Sequence, residues 1–139
     1  MAPNHLIFLH FLCYSVIACE EEAATPLALS LNAGHPIVIK DHQESFVSGM
    51  NGKWVLKPIW NLTKNLIKRS VVVSHADICA NMRMLLTQNK ILVESASAAT
   101  VAAALSNDVP DGKIVCVISG GNEDLDLLKT VLDNRIPSM

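Results

Sequence analysis

The chain has 139 residues, with 11 basic side chains against 13 acidic ones and a formal net charge of −2 at pH 7. That length is one domain's worth, enough to bury a core, and without a positive excess there is no charged surface for nucleic acid. Apolar residues make up 50% but aromatics only 4%, and the mean hydropathy is +0.33. The excess is aliphatic and alanine, which implies either a large core or apolar surface that expects a partner.

The chain opens on "MAPNHLIFLHFLCYSVIACE". Its apolar run is too short and interrupted to span a bilayer. Val16-Ile17-Ala18-Cys19 has the form of a lipoprotein cleavage box, the basis of an alternative in which Cys19 is a lipid anchor. No Lys or Arg precedes Lys40, however, so the basic start of a signal peptide is missing.

From Tyr14 onward, strand and helix signals alternate. Tyr14–Cys19 reads as a buried strand. Thr25 is placed as the N-cap of a helix with Pro26 in its first turn, and Gly34 ends it. Pro36–Lys40 reads as a short strand, followed by a loop over "ESFVSGMNGKW". Pro58 to about Lys68 is predicted helical, with Ile59, Leu62, Leu66 and Ile67 on one face. Ser70–Ser74 is a strand. Ser74 then caps a helix with Asp77 three residues on, and Ile78, Met82, Leu85 and Leu86 form its apolar stripe.

"KILVE" leads into Ser95–Leu105, a helix almost without large side chains. Small residues allow close approach to a sheet or a bound group, and alanine also simply favours helix. Lys113–Ile118 is expected to be a strand, its successive apolar residues suiting parallel pairing covered on both faces. A short helix from Asp124 to about Leu132 follows. The alternation specifies an α/β fold: a partial three-layer, open, mostly parallel sheet with helices on both faces.

The four cysteines (Cys13, Cys19, Cys79, Cys116) form no CxxC pair and read as small hydrophobes in a reducing, cytoplasmic compartment. The five histidines show no metal-binding spacing.

The distinctive stretch is "CVISGGNEDL", where a strand runs into Ser119-Gly120-Gly121-Asn122. Ligands of parallel α/β sheets bind beyond the carboxyl ends of strands. Glycines there let a ligand approach the backbone, and the next helix offers amide donors. A tight strand-to-helix turn would account equally well for the four residues alone.

The wider context is more specific. "KILVESASAATVAAALS…GKIVCVISGGNEDL" places Glu94-x-Ala96-x-Ala98, an alanine-rich helix, a Gly-Lys before a strand and Ser-Gly-Gly-Asn in one order. Upstream, "YSVIACEEEAATPLALSLNAGHP", "ESFVSGMNGKWVL" and "SVVVSHADICANMRML" add to the pattern. In this order the motifs resemble the C-terminal part of the pyridoxal-phosphate lyases of the serine/threonine dehydratase and serine racemase family, which have the tryptophan synthase beta-like, fold-type II architecture. The resemblance runs from about residue 14 to 133. It implies a partial domain over 14–139 preceded by a divergent segment, 1–13.

The resemblance implies that Ser119 bonds the pyridine nitrogen of pyridoxal 5'-phosphate, with Gly120 against the ring and Glu94 near the same ring end. A hydroxyl is too weak an acid to protonate that nitrogen, so the ring is a moderated electron sink suited to quick loss of a β-hydroxyl. The implied reaction is β-elimination: the amino acid joins the cofactor as a Schiff base and loses its α-proton and β-hydroxyl. The enamine then yields a 2-oxo acid and ammonia. Serine, threonine and racemase specificity stay open. The alternative role for Glu94 is to cap the helix that follows it. Glu20 matches a cation-binding glutamate of racemase-like members and Ala24 could offer a carbonyl, but Pro26 stands where an acidic partner is expected, so no metal is predicted.

None of the eight lysines lies in the family's Ser-x-Lys-x-Arg-Gly context, and the glycine-rich phosphate loop has no counterpart. No catalytic residue is therefore assigned, and the 139-residue chain is expected to be inactive alone. The expected partners are an amino-acid substrate in the parent family, and a second copy or a full-length homologue covering the open sheet edge. No feedback domain is expected after residue 139.

Overall fold

The computed structural model describes residues 14–138. The elements are β1 (Val16–Glu21), α1 (Pro26–Ala33), a 3₁₀ turn (Ser48–Met50), α2 (Lys57–Thr63), β2 (Ile67–Val73), α3 (His75–Met84), a π-helical turn (Leu85–Asn89), α4 (Ser95–Ala104) and α5 (Leu125–Leu132). The expected α/β class is observed: among the described residues β1 and β2 pair in parallel, and helices pack on both faces. In this register Cys19 lies opposite Val71, Glu20 opposite Val72 and Glu21 opposite Val73. Strand alternation then puts Glu20 and Ser70 on the face that α1 covers, and Cys19, Val71 and Val73 on the face toward α3 and α4.

α1 starts at Pro26, whose missing N–H costs nothing in a first turn, and stops at Gly34, left-handed at φ 74°. Thr25 makes no side-chain cap bond, contrary to expectation. Glu20 does that work from the neighbouring strand: its carboxylate accepts from Leu27 N at 2.6 Å and Ala28 N at 2.7 Å, and from Ser70 Oγ at 2.7 Å. α3 is capped as predicted, Ser74 Oγ accepting from Asp77 N at 3.1 Å. Ile78, Met82 and Leu85 go into the core, each contributing about 1.5–3 kcal/mol by burial. Truncating Ile78 to Ala would cost about 2–5 kcal/mol. α4 lays Ala98, Ala99, Ala102 and Ala103 against Val71, Val73 and α3, the small side chains permitting close contact.

Four expectations are corrected. β1 lies two residues later than Tyr14–Cys19, because Glu20 and Glu21 find buried partners and continue the ladder. Pro36–Lys40 forms no strand beyond a single bridge, Val38 to Trp54. The helix predicted to about Lys68 ends at Thr63, since Ile67 already belongs to β2; Ile59, Leu62 and Leu66 are exposed rather than a buried stripe. Lys113–Ile118 is not paired as a strand, and Val115 and Val117 are 88% and 71% exposed. An apolar run needs a neighbouring strand to become part of a sheet, and among the described residues none flanks it. The segment 1–13 lies outside the described residues, whereas the cleavage-box residues Val16–Cys19 fall within β1.

Candidate functional site

The Ser119–Glu123 turn is tied to the N-terminus of α4. Glu94 N donates to Gly120 O at 3.1 Å, and Gly120 N donates to Ser97 Oγ at 3.0 Å. Ser95 N donates to Glu123 Oε2 at 2.6 Å. Two of these bonds satisfy amides at the helix start that the helix itself cannot, and the third satisfies the Gly120 amide of the turn. They hold two segments 23 to 28 residues apart in one register.

Both glycines are closely approached by other groups. A β-carbon on Gly120 would overlap the Glu94 carboxyl carbon and both its oxygens. One on Gly121 would come within 3.0 Å of the Leu92 carbonyl oxygen. From another side Gly49, in the 3₁₀ turn, abuts α4: its β-carbon would lie 2.9 Å from Ala96 Cβ and 3.9 Å from Glu94 Oε1.

The structure therefore brings Ser119, Gly120 and Glu94 together. Glu94 occupies the N-cap position, φ −73° and ψ 159°, yet makes no side-chain cap bond. Glu123 takes the capping role expected of it, which leaves the Glu94 carboxylate without a hydrogen-bond donor among the described residues. The Ser119 hydroxyl is exposed and likewise bonded to no described group. Sequence reasoning missed Ser97, Glu123 and Gly49. The Ser-x-Ser pair opening α4 is the only signal that could have suggested Ser97.

The chemistry of this set suits the pyridine end of a pyridoxal ring: a free hydroxyl able to meet the ring nitrogen, and a carboxylate on the adjoining residue's flank. The aldehyde and phosphate ends have no such match. All eight lysines are exposed.

Elsewhere, Glu20 is committed to α1 and Ser70 rather than open toward a cation. No group of three or more His, Cys, Asp or Glu with metal-binding proximity occurs among the described residues. Cys19, Cys79 and Cys116 are free thiols. Burial pushes the Cys19 thiol up, with Cys116 and Glu20 adding to the shift; burial also raises Cys79, against a smaller opposing pull from Arg83. Among the described residues no helix is long and apolar enough to cross a membrane.

Comparison with known proteins bears on the family and the fold. Residues 9–120 match the family model described as pyridoxal-phosphate dependent enzyme. The chain is 33% identical over 126 residues to the L-threonine ammonia-lyase of Geobacter sulfurreducens, covering 87% of this chain and 30% of that protein. It superposes on maize serine racemase with a TM-score of 0.75 at 27% identity, covering 86% of this chain and 39% of the other. The processed form of threonine deaminase isoform 2 from Solanum lycopersicum shares the fold, with a TM-score of 0.77 at 23% identity over 86% of this chain and 36% of that one. The chain thus spans less than a third of the length of the curated relatives it matches.

Proposed function

Because the chain belongs to the family of pyridoxal-phosphate dependent enzymes, we propose that it carries the pyridine-binding part of an ammonia-lyase of the L-serine/L-threonine dehydratase type. The observation that carries this reading is the junction of Ser119 and Gly120 with Glu94. When bound, pyridoxal phosphate supplies an electron sink for the electrons left at the substrate α-carbon. Ser119 would offer its hydroxyl to the ring nitrogen without transferring a full proton. Gly120 leaves room for the Glu94 carboxylate, which sets the charge beside the ring. The substrate would be a β-hydroxy amino acid, the products a 2-oxo acid and ammonia.

The chain as it stands holds no lysine in the expected context and is proposed to be inactive alone. The test is direct. The purified chain, given pyridoxal phosphate and L-serine or L-threonine, should release no 2-oxo acid, and borohydride should fix no single lysine by mass spectrometry. Turnover, or one stoichiometrically labelled lysine, would show that a lysine of this chain takes the Schiff-base role.

A second reading is favoured by Lys113–Ile118, an exposed apolar segment without a ladder partner among the described residues. Here the chain is a non-catalytic binder that associates with itself or with a full-length relative through that edge. The free thiols of Cys19, Cys79 and Cys116 support a reducing, cytoplasmic setting for either reading.

A further inference from the structure

A second buried polar cluster lies away from Ser119. Glu21, at the end of β1, is 0% exposed, yet its carboxylate touches three separate segments. Oε2 accepts from Ala23 N at 2.7 Å and lies 2.8 Å from His75 Nε2; Oε1 accepts from Ser45 Oγ at 3.2 Å. His75, 21% exposed, opens α3 and is oriented by Glu22, whose Oε1 accepts from the His75 backbone N at 2.8 Å. A buried acid paired this way contributes little net stability over an apolar replacement, and its attested use is to specify one arrangement. The arrangement it specifies is that of the 45–51 loop.

That loop is closed on itself. Ser45 N donates to Asn51 Oδ1 and Asn51 Nδ2 donates to Ser45 O, both at 2.9 Å, and Met50 N donates to Val47 O at 2.9 Å. Glu21 holds its base through Ser45, and the His75 ring meets Phe46 edge-on at 5.1 Å. The far side of the loop is Gly49, pressed on Ala96 and facing Glu94 Oε1. The Glu21–His75 pair is thus linked to the Glu94 end of α4 through one internally hydrogen-bonded loop.

We propose that Glu21 and His75 are positioning residues that set the Glu94 carboxylate by fixing the 45–51 loop against the first turn of α4. This deepens the reading of the Ser119–Glu94 site and rests on it. Neither residue touches the proposed ring.

The test uses the full chain. His75→Ala should speed amide hydrogen exchange by about tenfold or more in peptides spanning 45–52 and 93–98, the loss of a bond to a charged group, with α1 peptides unchanged. His75→Gln, whose side-chain amide can donate in place of Nε2, should restore protection in both. Ser45→Ala should affect the same two segments. Unchanged exchange at 45–52, a uniform rise that includes α1, or no rescue by His75→Gln would overturn the proposal. A second arm titrates pyridoxine 5'-phosphate, which has the ring but no aldehyde to label stray lysines. If the wild type binds it, His75→Ala should bind more weakly, and equal affinity overturns the positioning role. If the wild type does not bind it, the reading of the Ser119–Glu94 site fails, and the exchange data still decide whether His75 fixes the loop against α4.

Discussion

Gly120 and Glu94 share one space: the Gly120 carbonyl accepts the Glu94 amide at 3.1 Å, while the Glu94 carboxylate lies where a Gly120 side chain would begin. Gly120→Ala must therefore move the carboxylate or the turn, an overpacking that costs about 1–3 kcal/mol. Glu94→Ala removes all three overlapping atoms and should by itself be nearly neutral, since its carboxylate accepts no hydrogen bond among the described residues. In the double variant the penalty should largely vanish. A double-mutant cycle by urea unfolding should return a coupling of about 1 kcal/mol or more. Simple additivity would show that the two residues do not compete for that space.

Ser119 offers a contrast, because it is exposed and bonded to nothing described. Ser119→Ala should leave the urea midpoint unchanged within about 0.5 kcal/mol. It should weaken pyridoxine 5'-phosphate binding roughly fivefold, the worth of one hydrogen bond of about 1 kcal/mol. Titration by calorimetry or ligand fluorescence separates the two effects. Equal affinities for wild type and variant would remove Ser119 from the ring-nitrogen role.

The elements most legible in the sequence were those whose cause is local. Ser74 and Asp77 announce the start of α3, Pro26 and Gly34 bracket α1, and the alanine run of α4 forms the helix its composition favours. What stayed hidden depends on distant pairs. Ile67 continues the apolar pattern of α2 but belongs to β2, because Val16 pairs with it from 51 residues away. Lys113–Ile118 has every local mark of a strand, yet a ladder is a property of two segments. At the site, Ser119, Gly120 and Glu94 could be singled out because they sit in one ordered run of motifs. Ser97 and Glu123 act on single backbone amides across the turn, and such contacts leave no period to read. Glu21 and His75 are 54 residues apart, in two separate stretches, and nothing local in either pairs them.

Glu20 yields a prediction that separates two roles for one carboxylate. It is 8% exposed and accepts three hydrogen bonds, two of them from the first turn of α1. Glu20→Ala should destabilise the chain by about 1–3 kcal/mol, as loss of a buried charged cap does, and hydrogen exchange should locate the damage in α1. Millimolar Mg²⁺ should leave the wild-type melting temperature unchanged. A rise with Mg²⁺ that disappears in Glu20→Ala would assign the carboxylate to a cation instead.

The two raised thiols fix the sign of a pH dependence. Burial favours the protonated thiol of Cys19 and Cys79 in the folded state, so both titrate higher folded than unfolded. Their contribution is fully present below the ordinary thiol range, about 8.5, and is lost as pH rises through the folded values, because the unfolded chain gives up its protons first. The urea midpoint should therefore fall between pH 8 and pH 10. The fall should be smaller in Cys19→Ala and Cys79→Ala, each measured against its own value at the lower pH. Equal falls in all three chains would mean that neither thiol is the cause.

The exposed segment Lys113–Ile118 gives the last prediction. Its far end is anchored, Gly120 N to Ser97 Oγ at 3.0 Å, and Cys116 Sγ rests on the Thr100 carbonyl at 3.6 Å, so the segment is tied to α4 at two points. Val115 and Val117 share one side of an extended chain and are its two most exposed apolar residues. An extended, apolar, unpaired edge is a template for another strand. The wild-type chain should sediment as dimers or larger species at micromolar concentration. Val115→Lys and Val117→Lys, which place charge on that edge without touching the core, should each shift it toward monomer with an unchanged circular dichroism spectrum. A wild type that is monomeric throughout, or lysine variants that associate as before, would show that this edge is not what the chain uses to find a partner.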